Sequence, residues 1–210
     1  MKKNRVVWYI LVGMNLLLLL LTGFSYLRRL KLQEGIAEKV VRFHVVANSD
    51  TGEDQELKYL VRDAVGAELA RVLDGAESRA ECEALIAGRL DEITVTAEQV
   101  IAAAGYEYEV NAVLGDVDFP AKRYGSYRFP AGSYEALEVV IGEGRGHNWW
   151  CVMYPNMCFS GSVYEVVDEE AGESLRRVLS AEEYEKVLSS GDYRVQFRYL
   201  TFLNGLFDGE

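Results

Sequence analysis

Few side chains in this sequence are suited to chemistry. There are two histidines, His44 and His147, three cysteines, Cys82, Cys151 and Cys158, and a small acidic group, Asp50, Glu53 and Asp54. His147 and Cys151 stand four residues apart, which invites a thiol-nucleophile reading. Catalytic Cys–His pairs come from separate elements, and no local signature marks an activated thiol, so a structural or bridged cysteine is the stronger reading. A zinc site would need His, Cys or carboxylate ligands in clustered spacing, and the sequence has no such cluster. The three acids fall where a helix should begin, a place where carboxylates satisfy free N–H groups and the helix dipole; a cation site is the lesser alternative. The expectation is therefore no catalytic residue, no metal and no cofactor.

Gly142, Gly144 and Gly146 of GEGRGHN follow an apolar run, as the glycines of a phosphate loop would. Their spacing lacks the third dinucleotide-loop glycine, no Gly-Lys-Ser/Thr follows, and aromatic residues come next where a phosphate loop would open a helix. Alternate glycines instead let the backbone bulge or permit close approach of another chain. Trp149 and Trp150 come next, and on a strand they point to opposite faces. Either both faces are buried or one ring is displayed, and a displayed tryptophan is rich in binding energy. A tight turn at Tyr154-Pro155-Asn156-Met157 would pair Met153 with Cys158 and leave Cys151 diagonal at roughly 7–8 Å, too far for a disulfide without an irregular turn. An exported location would favour that bridge, so a Cys151–Cys158 disulfide stays open. Asp54, Lys58 and Arg62 follow at four-residue steps. They form either a solvated ladder on an exposed helix face or a docking surface.

The elements that must position these residues are legible from periodicity. Residues 40–47 (VVRFHVVA) read as a strand stopped by Asn48-Ser49-Asp50. A helix follows to about Leu73, opened by Asp50 with Glu53 or Thr51 with Asp54, and buries Leu57, Leu60, Val61, Ala64, Val65, Val72 and Leu73. A second helical pattern spans 79–104, with a kink expected at 93–96. Strands are expected at 106–114, 123–129, 134–141 and 149–153. A helix at 173–188 should be capped midway by Ser180, and 193–203 begins as an alternating strand. These runs give an α+β domain, a largely antiparallel sheet packed with two to four helices.

Composition bounds the function classes. The chain has 210 residues, half of them hydrophobic, which suits one domain with a real core. Six of the 22 basic residues stand at or before Lys31, ahead of every acidic one, leaving 16 basic against 33 acidic beyond. So acidic a domain argues against nucleic acid and should stand off anionic lipid. Residues 6–27 (VVWYILVGMNLLLLLLTGFSYL) carry no charge and as a helix would reach about 33 Å, enough to cross a bilayer. The division expected is a signal sequence or membrane anchor at 1–31, a polar linker at 32–39 and an extracytoplasmic domain at 40–210. Gly23-Phe24-Ser25 would suit a signal peptidase, whereas the length of the apolar run favours retention.

RFHVVANSDTGEDQELKYLVRDAV (42–65) and PAGSYEALEVVIGEGRGHNWWCVMYPNMC (130–158) closely resemble the stage II sporulation protein R family, and YEYEVNAVLGDVDFPAKRYG (106–125) adds a weaker match. The resemblance implies a signalling protein and not an enzyme. Members are made in the forespore and exported into the intermembrane space, membrane-anchored or secreted. There they activate a membrane-embedded aspartic protease, which processes the precursor of the early mother-cell sigma factor, pro-sigma-E. The expected partners are that protease and the membrane, through residues 6–27, with no nucleic acid and no small-molecule substrate. The family's motif segments fall on Asn48, Asp50, Asp54, Lys58, Arg62, Glu143, Arg145, Asn148, Trp149 and Trp150, the expected partner-binding residues. The alternative is an extracytoplasmic hydrolase of cell wall or peptide, using Asp50, Asp54 or Cys151.

Overall fold

The computed structural model describes residues 2–157 and 169–188. Its elements in chain order are α1 (Lys2–Ala37), β1 (Val41–Val46), α2 (Gly52–Val72), α3 (Arg79–Ala87) and α4 (Leu90–Ala103). There follow β2 (Val110–Phe119), β3 (Lys122–Tyr124), β4 (Tyr127–Phe129), β5 (Gly132–Ile141), β6 (Asn148–Tyr154), α5 (Glu169–Val178) and α6 (Ala181–Leu188). The expected α+β class holds. Four strands form one sheet in the order β2-β5-β1-β6, and β3 and β4 form a separate hairpin. Two of the three pairings in the sheet are antiparallel, as expected, but β1 and β5 are parallel, so the sheet is mixed.

The sheet carries a hydrophobic cluster on each face. On one side α2, α3 and α4 cover Val41, Phe43 and Val45 of β1 with Leu137, Val139 and Ile141 of β5. The other side is covered by the end of α1, by α5 and α6 and by the β3–β4 hairpin, through Ile36, Phe129, Leu175 and Val187. Every residue of β1 is buried as a result, Arg42 and His44 included, although they alternate with Val41, Phe43 and Val45 as the polar face of a half-exposed strand would.

Local sequence explains most of the boundaries. Thr51 caps α2, its hydroxyl accepting from the Asp54 N–H, which settles the two capping alternatives. Leu57, Val61, Val65 and Leu69, four apart, form the buried face of α2, whereas Leu60, expected there, is exposed. The helical pattern at 79–104 is broken at Gly88-Arg89, not kinked at 93–96. Thr94 and Thr96 return their hydroxyls to the carbonyls of Leu90 and Glu92, so that β-branched run stays helical. The strand expected at 123–129 turns back at Gly125, whose φ of 54° suits a residue without a Cβ, and becomes the β3–β4 hairpin. Ser180 caps α6 as expected, accepting from the Glu183 N–H. The strand expected at 193–203 and Cys158 lie outside the described residues.

The segment read as a polar linker, LQEGIAEK (32–39), is helical through Ala37, continuing α1 across Gly35 because Leu32, Gln33 and Glu34 favour a helix and Ile36 packs on the sheet. Ile36 is fully buried there, Gln33 donates to the Ser133 carbonyl, and Lys39 pairs with Glu183 at 2.6 Å. Residues 5–37 make a helix long and apolar enough to cross a membrane.

Candidate functional site

The C-terminal ends of the parallel strands β1 and β5 lie side by side, and the segments leaving them pack on each other. Four backbone N–H groups fix the loop at 142–147 to the segment at 47–50. Glu143 N–H donates to Asn48 Oδ1 at 2.9 Å and Arg145 N–H to the Asn48 carbonyl at 3.0 Å. Gly146 N–H donates to the Ala47 carbonyl at 2.9 Å and His147 N–H to Asp50 Oδ1 at 2.6 Å. The glycines make this approach feasible. A Cβ on Gly146 would lie 2.2 Å from the Ser49 carbonyl oxygen, and one on Gly142, where φ is 56°, would lie 2.4 Å from Asn48 Oδ1. The close approach that these glycines permit is to the chain's own loop after β1, not to another chain.

Beneath the loops is a buried polar network. Asp54 Oδ2 accepts from Asn48 Nδ2 at 2.9 Å and from Ser49 Oγ at 2.5 Å. Burial alone would raise the Asp54 pKa, but the donors from Ser49, Asn48, Tyr108 and Thr51 outweigh it and hold the carboxyl below its ordinary value. Lys58 Nζ donates to Gln55 Oε1 at 2.6 Å and to the His147 carbonyl at 3.1 Å, tying α2 to the glycine loop. Burial, then the nearby Arg62, lower the Lys58 pKa. The Arg62 guanidinium lies 4.7 Å from the Tyr59 ring centre and 5.3 Å from that of Trp149, and it pairs with Asp63 at 2.6 Å.

Asp54, Lys58 and Arg62 are only 4, 2 and 3 % exposed, so the solvated ladder is corrected: this face of α2 is turned inward under the loops. It is buried because each member finds a partner, in Asn48 and Ser49, in the His147 carbonyl, and in Asp63 with the Trp149 ring. These three support a surface and do not form it. The exposed members of the expected set are Asp50, Glu143 and Arg145, with Asn48 and Asn148 half-buried. His147 joins them; its Nδ1 lies 2.5 Å from Asp50 Oδ1, a contact that holds the Asp50 carboxyl below its usual range. Glu143 and Arg145 pair with each other at 3.1 Å.

The two tryptophans separate. Trp149 packs on the α2 side, edge-on to Phe43, beside Arg62. Trp150 lies on the opposite face, stacked on His44 with ring centres 4.8 Å apart and 11° between planes. Both are half-buried. Cys151 is buried and disulfide-bonded, and Cys82 is a free buried thiol whose pKa burial pushes up to about 12. Among the described residues no three His, Cys, Asp or Glu side chains gather as metal ligands would. The pairing of His147 with Asp50 was not legible in the sequence, where His147 was weighed against Cys151. Asp50 and His147 are 97 positions apart, and the alternate glycines are the signal in the sequence from which a loop contact could have been read.

The family model of stage II sporulation protein R matches residues 37–164, a stretch that contains both loops and the network beneath them. Stage II sporulation protein R of Bacillus subtilis (strain 168) is 36% identical over 141 residues, which cover 65% of this chain and 63% of that protein. No solved structure matches.

Proposed function

Since the chain belongs to the stage II sporulation protein R family and so has a role in sporulation, we propose that it acts as a signal: exported from the forespore, it switches on a membrane-embedded aspartic protease that processes pro-sigma-E. The observation that carries this reading is the family match across residues 37–164, within which the motif segments at 48–50 and 142–148 meet in one exposed polar platform. Asp50, Glu143, Arg145 and His147 offer charge and hydrogen bonds to a protein partner, and the network below them fixes the two loops before contact is made. To activate, the platform must bind the active state of the protease more tightly than the inactive one. The apolar part of α1 directs the domain across the membrane and either anchors it there or is removed.

The test is reconstitution. The full chain is expressed with the protease and the sigma-factor precursor in a host that has none of the three, and removal of the pro-sequence is followed. Processing should require the chain and should be lost when Asp50 and Arg145 are reversed in charge together. Equal processing without the chain would refute the proposal, as would turnover of a peptide or wall substrate by the purified chain that Asp50→Asn abolishes.

A further inference from the structure

The way α1 joins the domain fixes which way the loop platform faces. Along α1, Arg28 meets Glu182 at 2.7 Å and Gln33 lies against Gly132 and Ser133 at the start of β5. Further on, Ile36 is buried, and the Ala37 carbonyl accepts from Arg79, which also approaches Glu135 of β5 at 4.0 Å. Advancing from 33 to 37 on α1 therefore corresponds to advancing from 132 toward 135 on β5. The chain then enters β1, which runs parallel to β5 and in register with it from Arg42 beside Ala136 to Val46 beside Val140. Both strands lead away from the apolar part of α1 and end at the loop pair.

Distances follow from rise per residue. Leu27, the last residue of the uncharged run, and Gln33 are six helical steps apart, about 9 Å. From Gly132 to Ile141 is nine strand steps, up to about 30 Å. The fold thus begins within roughly a headgroup layer of the hydrocarbon, and the platform lies at its opposite end. No flexible segment intervenes, since α1 is one helix from Lys2 to Ala37. The exposed Arg28–Glu182 pair contributes little energy, but it ties the N-terminus of α6 to α1 one residue past the uncharged run.

Building on the membrane reading of α1 above, we propose that α1 is a rigid strut that holds the domain upright on its own bilayer and presents the platform at the end remote from it.

The experiment uses the full chain in lipid vesicles, labelled at a single added cysteine in place of either Ala181, beside Glu182, or Arg145, on the platform. Energy transfer to an acceptor lipid reports height, and flotation with the vesicles reports anchoring separately. Transfer from position 181 should exceed that from 145 by about two-fold or more, given the separation worked above. A Gly-Ser-Gly-Ser insertion between Leu30 and Lys31 should erase most of that difference while flotation is kept. A chain that fails to float overturns both the anchoring and this inference. Equal transfer from the two positions in a floating chain overturns the upright geometry alone, and a difference that survives the insertion overturns the strut.

Discussion

Acidifying the medium from pH 7 to pH 5 should weaken the fold through one residue, His44. Its side chain is 1 % exposed and stacks on Trp150 beside Phe119, two residues along β1 from the equally buried Arg42. Nε2 comes within 3.2 Å of Glu138 Oε1, but the approach lacks hydrogen-bond geometry, and neither ring nitrogen has a hydrogen-bond partner among the described residues. Burial first, then the Arg42 charge, lower its pKa from 6.5 to about 4. The folded chain therefore refuses a proton that the unfolded chain accepts between those values. The stability contributed is complete above pH 6.5 and is lost as pH falls toward 4. The gap corresponds to about 3 kcal/mol in full, and about 2 kcal/mol of it is lost by pH 5. Total stability is typically only about 5–15 kcal/mol, so the change is large enough to measure. Urea unfolding of the full chain in mild detergent, followed by tryptophan fluorescence, should show a midpoint that drops between pH 7 and pH 5. His44→Phe keeps the stack on Trp150 and removes both unpartnered nitrogens, so its midpoint should stay nearly level over that range. Asp54 and Glu183 are held below their ordinary values, and they are common to both chains. Parallel losses in wild type and variant would refute the reasoning.

Three other outcomes follow from particular contacts. Ile36→Ala should destabilise the domain by about 2–5 kcal/mol, because the side chain is fully buried in the cluster beneath the sheet; an unchanged melting temperature would show that the end of α1 is not part of the fold. Gly146→Ala should cost about 1–3 kcal/mol and abolish signalling, since its Cβ meets backbone that cannot move aside without parting the loops. Non-reducing peptide mapping should recover Cys151 joined to Cys158, with Cys82 alkylated only after unfolding.

How much of this was legible beforehand depended on the range of the forces involved. Apolar spacing placed α2 and β5, and Thr51 and Ser180 marked the starts of α2 and α6, because a cap or a buried face is written in neighbouring residues. That the stretch expected as a linker, 32–39, is helical through Ala37 was hidden, because a polar composition says nothing about burial of one isoleucine against a distant sheet. Burial of Lys58 and Arg62 was likewise hidden. Four-residue spacing is the same for a solvated ladder and for a row of satisfied cations, and only the glycine loop, about ninety positions on, tells them apart. The two tryptophans were rightly placed on opposite faces by strand geometry, but which face carried the loop pair needed the sheet order.

The motif residues around the platform belong to two physical classes, and the distinction decides how any loss of function should be interpreted. Asn48, Asp54 and Lys58 hold the loops from below; Asp54→Ala takes the shared acceptor from the half-buried Asn48 and Ser49 donors, a loss of about 1 kcal/mol for each hydrogen bond. Such a variant should lose stability and signalling together, and by itself it cannot identify a binding surface. Glu143 and Arg145 are exposed, their mutual ion pair is screened by solvent, and they contribute little to folding. Arg145→Glu should leave the melting temperature of the chain within about a degree while lowering protease activation at least ten-fold, the loss of one good charged contact at an interface. Activation that tracks thermal stability across both classes, with Arg145→Glu fully active, would mean that the platform is scaffold and that the partner binds elsewhere.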